Sequence, residues 1–446
     1  MVSARRGAGG ALAIWINGLR VGEWRIGRNG ESELAYDPAW VAAPQGRPLS
    51  LSLPLGLPGH VLKGPAVDAY FDNLLPDVQS IRQRLASRFG ARSERPFDLL
   101  AAIGRDCVGA VQLLDIDSEP PRIDVVEATP LKDDAVERLL RETTAGPFGQ
   151  DGLAGELRIS LAGAQEKIAL LRHRKRWCIP RNATPTTHIL KLPLGLIGGR
   201  QADMRLSVEN EWLCSRILRA YDLPVANTEM ARFGQQKVLL IERFDRQQSP
   251  DGSHWLRLVQ EDFCQATATP AARKYESDGG PGVVDIARIL RNSEAREADL
   301  TTLIKAQLLF WMLAATDGHA KNFSLRILER GRYRLTPLYD VLSLYPILGD
   351  GPNRIPHQRV KLAMALRGKS KHYLIRDIQR RHFNATARLC GLGSAEPIIA
   401  AMLAATPGVI ATVEKELPDG FPAALFRSIT RGLTSAAQAL ERMPAD

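Results

Sequence analysis

Cysteine is scarce and scattered: Cys107, Cys178, Cys214, Cys264 and Cys390 are the only five in 446 residues, odd in number and without a C-x-x-C pair. That argues against a disulfide framework or a cysteine zinc site and fits a reducing cytoplasm. Long apolar runs are missing too. The run of most interest, Leu308 to Ala315, falls far short of the roughly 20 residues that span a bilayer, so neither a transmembrane helix nor a membrane partner is expected. Arg5-Arg6 ahead of Gly7 to Ile16 faintly suggests an export signal, but Ile14, Ile16 and Asn17-Gly18 read better as a strand entering a turn. Acidic residues are almost absent from one stretch. Between Arg354 and Arg388 ten Lys or Arg face a single acid, Asp377, so this segment's net +9 nearly equals the +10 of the whole chain. Such a stretch is either the solvated face of a helical lobe or a surface for a polyanion, and the shortage of acids favours the second.

What is present is organised around Phe310 to Ser324, FWMLAATDGHAKNFS, where an apolar segment turns abruptly polar. Asp317 and Asn322 stand at the D-x-x-x-x-N spacing of a protein-kinase catalytic loop, in which Asp takes the acceptor hydroxyl's proton and Asn holds magnesium. Phe323 to Leu328 and Tyr333 to Leu338 read as two short strands that return Asp340 beside Asn322. Two oxygen ligands, with ATP phosphates supplying more, suit magnesium. Asp340 sits in Leu338-Tyr339-Asp340, with no D-F-G. Taken singly, Asp317 and Asp340 could equally cap turns.

Upstream, Leu157 to Leu171, LRISLAGAQEKIALL, reads as strand, small-residue loop and strand, a hairpin able to cover phosphates with its N–H groups or simply an ordinary turn. In Thr186 to Leu192, Lys191 alternates with Leu190 and Leu192, so it points to the opposite sheet face, toward either ATP phosphates or solvent. A helix over Ser207 to Tyr221 follows, carrying Glu209 and Glu211, either of which could pair with Lys191 or favour the helix N-terminus. Val238 to Ile241 is a buried-type strand that runs into Glu242, Arg243 and Phe244, a hinge between lobes. His319 could serve as a base but reads better as a loop histidine bonded to backbone; His188 and His382 lack paired ligand spacing and read as structural.

A chain this long exceeds one ordinary core. The expected division is a strand-rich subdomain over 1–120, a nucleotide-binding part over 121–250 ending at the hinge, and a helical catalytic lobe over 251–446 that contains 354–388. The first holds strands over Ala11 to Ile16, Val21 to Ile26 and Leu49 to Leu53, then a helix from Asp72 to Phe89 with no catalytic look. A further helix is expected around Asp133 to Arg141.

Together ISLAGAQEK (from Ile159), TPTTHILKLP (from Thr184), ERFDR (from Glu242), QED (from Gln260), KYESDGGPG (from Lys274), TDGHAKN (from Thr316) and LYD (from Leu338) resemble the HipA family of serine/threonine-kinase toxins of bacterial toxin–antitoxin systems. The resemblance implies an α+β, two-lobed protein-kinase-like fold with a strand-rich N-terminal lobe and a mainly helical C-terminal lobe. It implies Asp317 as catalytic base, Asn322 and Asp340 as Mg2+ ligands, and ATP held by Ala162, Gly163, Ala164, Gln165, Glu166, Lys167, Lys191, Glu242, Arg243, Phe244, His319, Ala320, Lys321, Asn322, Tyr339 and Asp340. Ser160 matches the serine that the family autophosphorylates to eject its nucleotide loop. His382 to Arg388, HFNATAR, resembles the DNA-contacting stretch with Arg388 at a basic position, while Gly391 departs from a second one. The implied partners are a HipB-type antitoxin, operator DNA through that complex, and an aminoacyl-tRNA synthetase as protein substrate. A small-molecule kinase and an inactive transcriptional co-repressor are the alternatives.

Overall fold

The computed structural model describes residues 10–144, 159–199 and 201–445. Near the N-terminus, strands Ala11–Ile16 and Leu19–Ile26 pair antiparallel around Asn17-Gly18, both at positive φ (47° and 79°), the left-handed turn that Asn-Gly favours in a two-residue hairpin. The five-stranded antiparallel sheet runs Val61–Lys63, Ser32–Tyr36, Leu19–Ile26, Ala11–Ile16, Gln112–Asp115. Helices Pro65–Asp72 and Pro96–Ile103 contribute to its core, where Trp24 stacks on Phe71 with ring centroids 3.8 Å apart.

Two expectations fail in this subdomain. Leu49 to Leu53 is not a strand: Ser50 and Leu53 close a tight turn, whose amides at Leu49 and Leu51 donate to the Tyr36 hydroxyl and Glu261 Oε1, each at 2.9 Å. The single helix over 72–89 is instead two, because Pro76 has no N–H and disfavours helical backbone before it. Pro65–Asp72 ends, the chain runs irregularly, and Gln79–Phe89 begins.

Glu261 fastens that turn to the rest of the molecule. It is fully buried, accepts from the Ser50 hydroxyl and the Leu51 amide, and burial still pushes its carboxyl up to about 8 from 4.5. Between those two values the folded protein holds a proton that the unfolded chain releases, so this group's contribution makes stability fall as pH rises from about 5 to 8. Thermal melts across that range are expected to show a declining contribution that Glu261→Gln, neutral at every pH, removes. Parallel pH dependences in the two proteins would refute the assignment.

A second, six-stranded antiparallel sheet runs Thr228–Phe233, Gln236–Glu242, His188–Lys191, Lys167–His173, Arg176–Pro180, Ala128–Leu131. Helix Asp133–Thr144, foreseen over its first part, packs Val136, Leu139 and Leu140 against Ile168, Leu170, Leu190 and Leu240. The hairpin expected over 157–171 does not form within the described residues, outside which Leu157 lies. Ile159 bridges to Asp106 and Gly163 to Pro76, so N-terminal-subdomain backbone takes the place of a partner strand.

In the C-terminal lobe, helix Arg296–Met312 runs through the largest core, and strands Ser324–Ile327 and Tyr333–Leu335 pair as the pattern foretold, with Gln260–Asp262 as a third. Helix Glu396–Lys415 is long and apolar enough to cross a membrane by length and composition alone, with mean hydropathy 1.6, a test that a helix of a protein core also passes and that does not overturn the expectation. In this fold its Ile399, Met402, Val409 and Val413 enter the same core, and Thr406 meets the Tyr221 hydroxyl at 2.7 Å.

The basic segment forms strands Lys361–Arg367 and Lys371–Leu374 and helix Arg380–Cys390. Part of its charge is used internally: Arg367 and Lys371 both pair with Glu276, and Arg380 with Glu396. Arg359, Lys361, Lys369, Arg381 and Arg388 are exposed.

Candidate active site

Lys191 occupies the centre of a cleft between the six-stranded sheet and the C-terminal lobe. Cross-strand register sets it opposite Lys167 on one side and Leu239 on the other. Its ammonium, 6% exposed, donates to Asp340 Oδ1 at 2.6 Å and to Glu211 Oε1 at 2.7 Å. Glu209, open as an alternative from sequence, pairs with Lys237 instead. Burial opposes the charge on Lys191, but Asp340 and Glu211 outweigh it and hold the proton on. Burial likewise opposes ionisation of Asp340, yet Lys191 and then Lys167 draw its carboxyl down to about 2. Lys167 has no such close carboxylate; burial, with Lys191 opposite, lowers it to about 8, and its ammonium donates to the Ala162 carbonyl at 2.7 Å. The result is a loop folded over its own lysine beside a second one, suited to bind a polyphosphate.

Asp317 lies across the cleft from this pair at the end of the core helix. Its side chain is half exposed; the Tyr275 hydroxyl donates to Oδ1 at 2.7 Å, and the Asn322 amide donates to its main-chain carbonyl at 2.6 Å. His319 is buried, with Nε2 3.8 Å from Asp317 Oδ1 and Nδ1 without a partner. Burial lowers its pKa, although Asp317 acts the other way. Asp340 is held at φ 63°, a left-handed conformation that non-glycine residues adopt at a cost and that clusters at functional sites. Among the described residues no group of three or more His, Cys, Asp or Glu gathers as a metal site. Asn322 and Asp340 supply hard oxygen donors, the type magnesium takes when phosphate and water complete its shell, so the donor set fits that ion.

The cleft, with about 1260 Å³ of open space, is lined by Ala162, Gly163, Ala164, Gln165, Lys167, Lys191, Glu242, Arg243, Phe244, Asp317, His319, Lys321, Asn322, Tyr339 and Asp340. Other residues singled out from sequence lie elsewhere. Glu166 turns away to pair with Arg84 of helix Gln79–Phe89, and Ala320 is fully buried in the lobe core. Ser160 is buried behind the loop, donating from Oγ to the Leu74 carbonyl at 2.7 Å and from N to the Asp106 carbonyl at 3.0 Å. Arg388 lies on helix Arg380–Cys390, outside the cleft lining.

Arg243 reaches the cleft at the hinge, but its guanidinium turns into a buried cluster. Its Nε and Nη2 donate to Asp245 at 2.9 and 2.7 Å, and Nη1 lies 3.4 Å from Asp106 Oδ2. Arg246 and Arg257 reach Asp106 Oδ1 at 2.9 and 3.1 Å, and Thr186 donates to Oδ2 from both N and Oγ1. Burial opposes charge on Asp106, but Arg246, Arg257 and Arg243 hold it far below the usual carboxylate range. The ERFDR motif thus bolts the hinge to the N-terminal subdomain.

Sequence reasoning missed a second contribution from that subdomain. Asn73 and Asp77 line the cleft, and Asp77 pairs with Lys274 at 2.8 Å and Lys321 at 3.3 Å. Burial opposes charge on Lys321, but Asp262 and Asp77 raise its pKa on balance. The only advance sign was Pro76 interrupting a helical pattern.

Known proteins share this arrangement's fold and sequence. Residues 159–410 match the family model described as HipA-like C-terminal domain, and residues 12–114 the HipA N-terminal domain. A Sinorhizobium fredii protein named "Putative kinase Y4mE" is 35% identical over 360 residues, 79% of this chain and 82% of that protein. The serine/threonine-protein kinase toxin HipA of Shewanella oneidensis is 26% identical over 348 residues, 75% of each. A chain of the solved Shewanella oneidensis toxin–antitoxin complex of HipA, HipB and operator DNA superposes with TM-score 0.76 over 96% of both chains, at 23% identity. The fold is accordingly the α+β, two-lobed kinase-like one.

Proposed function

The chain belongs to the HipA family, and from that premise we propose that it is an ATP- and Mg2+-dependent serine/threonine-protein kinase acting as the growth-arresting toxin of a toxin–antitoxin pair. The observation that carries this reading is the convergence, in one cleft, of Lys191 on Asp340 and Glu211 with Asp317, Asn322 and the loop over 162–167.

Lys191, Lys167 and the loop amides bind and orient the phosphates of ATP, while Glu242 to Phe244 offer hinge backbone to adenine. Asn322 and Asp340 would hold the magnesium, which would neutralise phosphate charge during transfer. Asp317 accepts the proton of the acceptor serine hydroxyl as the serine oxygen bonds to the γ-phosphorus and the bond from that phosphorus to the β-phosphate oxygen breaks, releasing ADP; Tyr275 occupies Oδ1, which leaves Oδ2 for the proton. Positioning and charge do most of the work, as phosphoryl transfer requires.

Ser160 fits the role of a self-silencing site. Its hydroxyl sits in a fully buried slot against the Leu74 carbonyl, and a phosphate bearing about −1.5 to −2 charges cannot stay there, so the loop must leave. The partners in this reading are a HipB-type antitoxin and, through it, operator DNA, whose phosphates the exposed Lys and Arg side chains of 354–388, Arg388 among them, would contact. The acceptor is an aminoacyl-tRNA synthetase, with glutamyl-tRNA synthetase the first candidate. Transfer from labelled ATP with magnesium, over a panel of synthetases with all labelled sites mapped, tests this. Label on one synthetase and on Ser160 is expected; no label from protein unphosphorylated at the start would turn the reading to a metabolite kinase or a co-repressor.

A further inference from the structure

The break between helices Pro65–Asp72 and Gln79–Phe89 does more than end a helix. Leu74 and Leu75 anchor it in the N-terminal core, while the residues around them reach both loops of the cleft. Toward the nucleotide loop, the Leu74 carbonyl accepts from Ser160 Oγ at 2.7 Å and the Asp77 amide donates to the Gly163 carbonyl at 3.1 Å. Toward the catalytic loop, Asn73 Oδ1 accepts from Lys321 Nζ at 2.8 Å, and Asp77 pairs with Lys321 and Lys274. All three of those side chains are well buried, at 11%, 4% and 15% exposure.

Each lysine is the chain neighbour of a residue that holds Asp317. Lys274 precedes Tyr275, which donates to Asp317 Oδ1, and Lys321 precedes Asn322, which donates to the Asp317 carbonyl. One carboxylate from the N-terminal subdomain therefore pins the supports on both sides of the proposed base. We infer that Asp77 is a positioning residue for phosphoryl transfer, supplied to a catalytic lobe that lacks it from a separate part of the chain. The inference rests on the kinase reading above.

The two lysines differ in what they keep without Asp77. Lys321 retains Asn73 and Asp262, the latter at 3.5 Å, whereas Asp77 is the one carboxylate among the described residues that pairs with Lys274. Losing Asp77 thus acts chiefly through Lys274 and its neighbour Tyr275. A shift of about 1 Å in a reacting group costs on the order of 10²-fold in rate.

Initial rates over a range of ATP concentrations, for wild type, Asp77→Asn, Asp77→Glu, Lys274→Met and the Asp77→Asn/Lys274→Met double variant, test this on the full chain. Expected is a kcat about 10- to 100-fold lower in Asp77→Asn with KM for ATP within about threefold, because hinge and Lys191 are untouched. Asp77→Glu, which keeps the charge, should recover part of kcat. The double variant should be no slower than the slower single, the mark of one shared interaction. A kcat for Asp77→Asn within about twofold of wild type, or losses that multiply in the double variant, overturns the inference. If Asp77→Asn melts below the assay temperature, Lys274→Met breaks the same link from the other side, and an unchanged kcat there overturns it equally. Absence of transfer by wild type sinks the kinase reading itself; active wild type with unaffected variants sinks only the role of Asp77.

Discussion

Asp317→Asn is expected to slow phosphate transfer by about 10²–10⁴-fold, the usual worth of a general base, with ATP binding little changed. Asparagine keeps the size of the side chain, and its carbonyl oxygen can still accept from the Tyr275 hydroxyl that now meets Oδ1. The Asn322 bond goes to the main-chain carbonyl and is indifferent to the substitution. What disappears is the basicity of the free oxygen on a half-exposed carboxylate that faces the cleft. Single-turnover transfer to a protein acceptor, with nucleotide affinity measured alongside, separates chemistry from binding. A variant within about threefold of wild-type rate would remove Asp317 from the mechanism; loss of rate together with loss of ATP affinity would place its role in nucleotide binding.

Asp106→Ala is expected to cost about 3–5 kcal/mol of stability, the range for removing one partner of a buried charge set. Three guanidiniums converge on Asp106 within a few per cent of full burial. Without it Arg243 and Arg246 keep Asp245, but Arg257 loses its one carboxylate among the described residues, and its Nη2 already has no partner. Urea unfolding measures the loss. Arg257→Met in the Asp106→Ala background is expected to recover part of it, because a buried apolar side chain costs less than an unpaired cation. A single-variant loss below about 1 kcal/mol, or a double variant worse than the single, would show that the cluster does not join hinge to subdomain energetically.

How much of this was legible varies with the distance over which a residue finds its partner. Asp317, Asn322 and Asp340 could be grouped in advance because a short antiparallel strand pair, itself written in alternating apolar residues, carries the last back to the first two. Lys191 was legible because strand alternation fixes its face. Glu209 and Glu211 were not separable: two residues apart on a helix they point to different sides, and only packing against the sheet says which side meets Lys191. The motif 159–167 was recognisable, but its shape was misread. Its residues alternate like a strand, yet their hydrogen bonds go to Asp106, Leu74 and Pro76–Asp77, more than 50 residues upstream. Arg243 was placed correctly at the hinge, while its guanidinium faces a carboxylate 137 residues away.

The amino-acid sequence by itself determined the scattered thiols, the excess of positive charge over 354–388, and the order and spacing of Lys191, Asp317, Asn322 and Asp340, since local periodicity and turn chemistry set these without reference to the rest of the chain. Tertiary structure alone decided that the N-terminal subdomain is part of the site. Asp77 meets Lys274 and Lys321, and Asp106 meets the three arginines, across separations of well over a hundred residues. No local pattern marks a carboxylate whose partners come from another lobe. Burial then makes those pairings matter, because in a low-dielectric junction a charge without its partner is far costlier than in water.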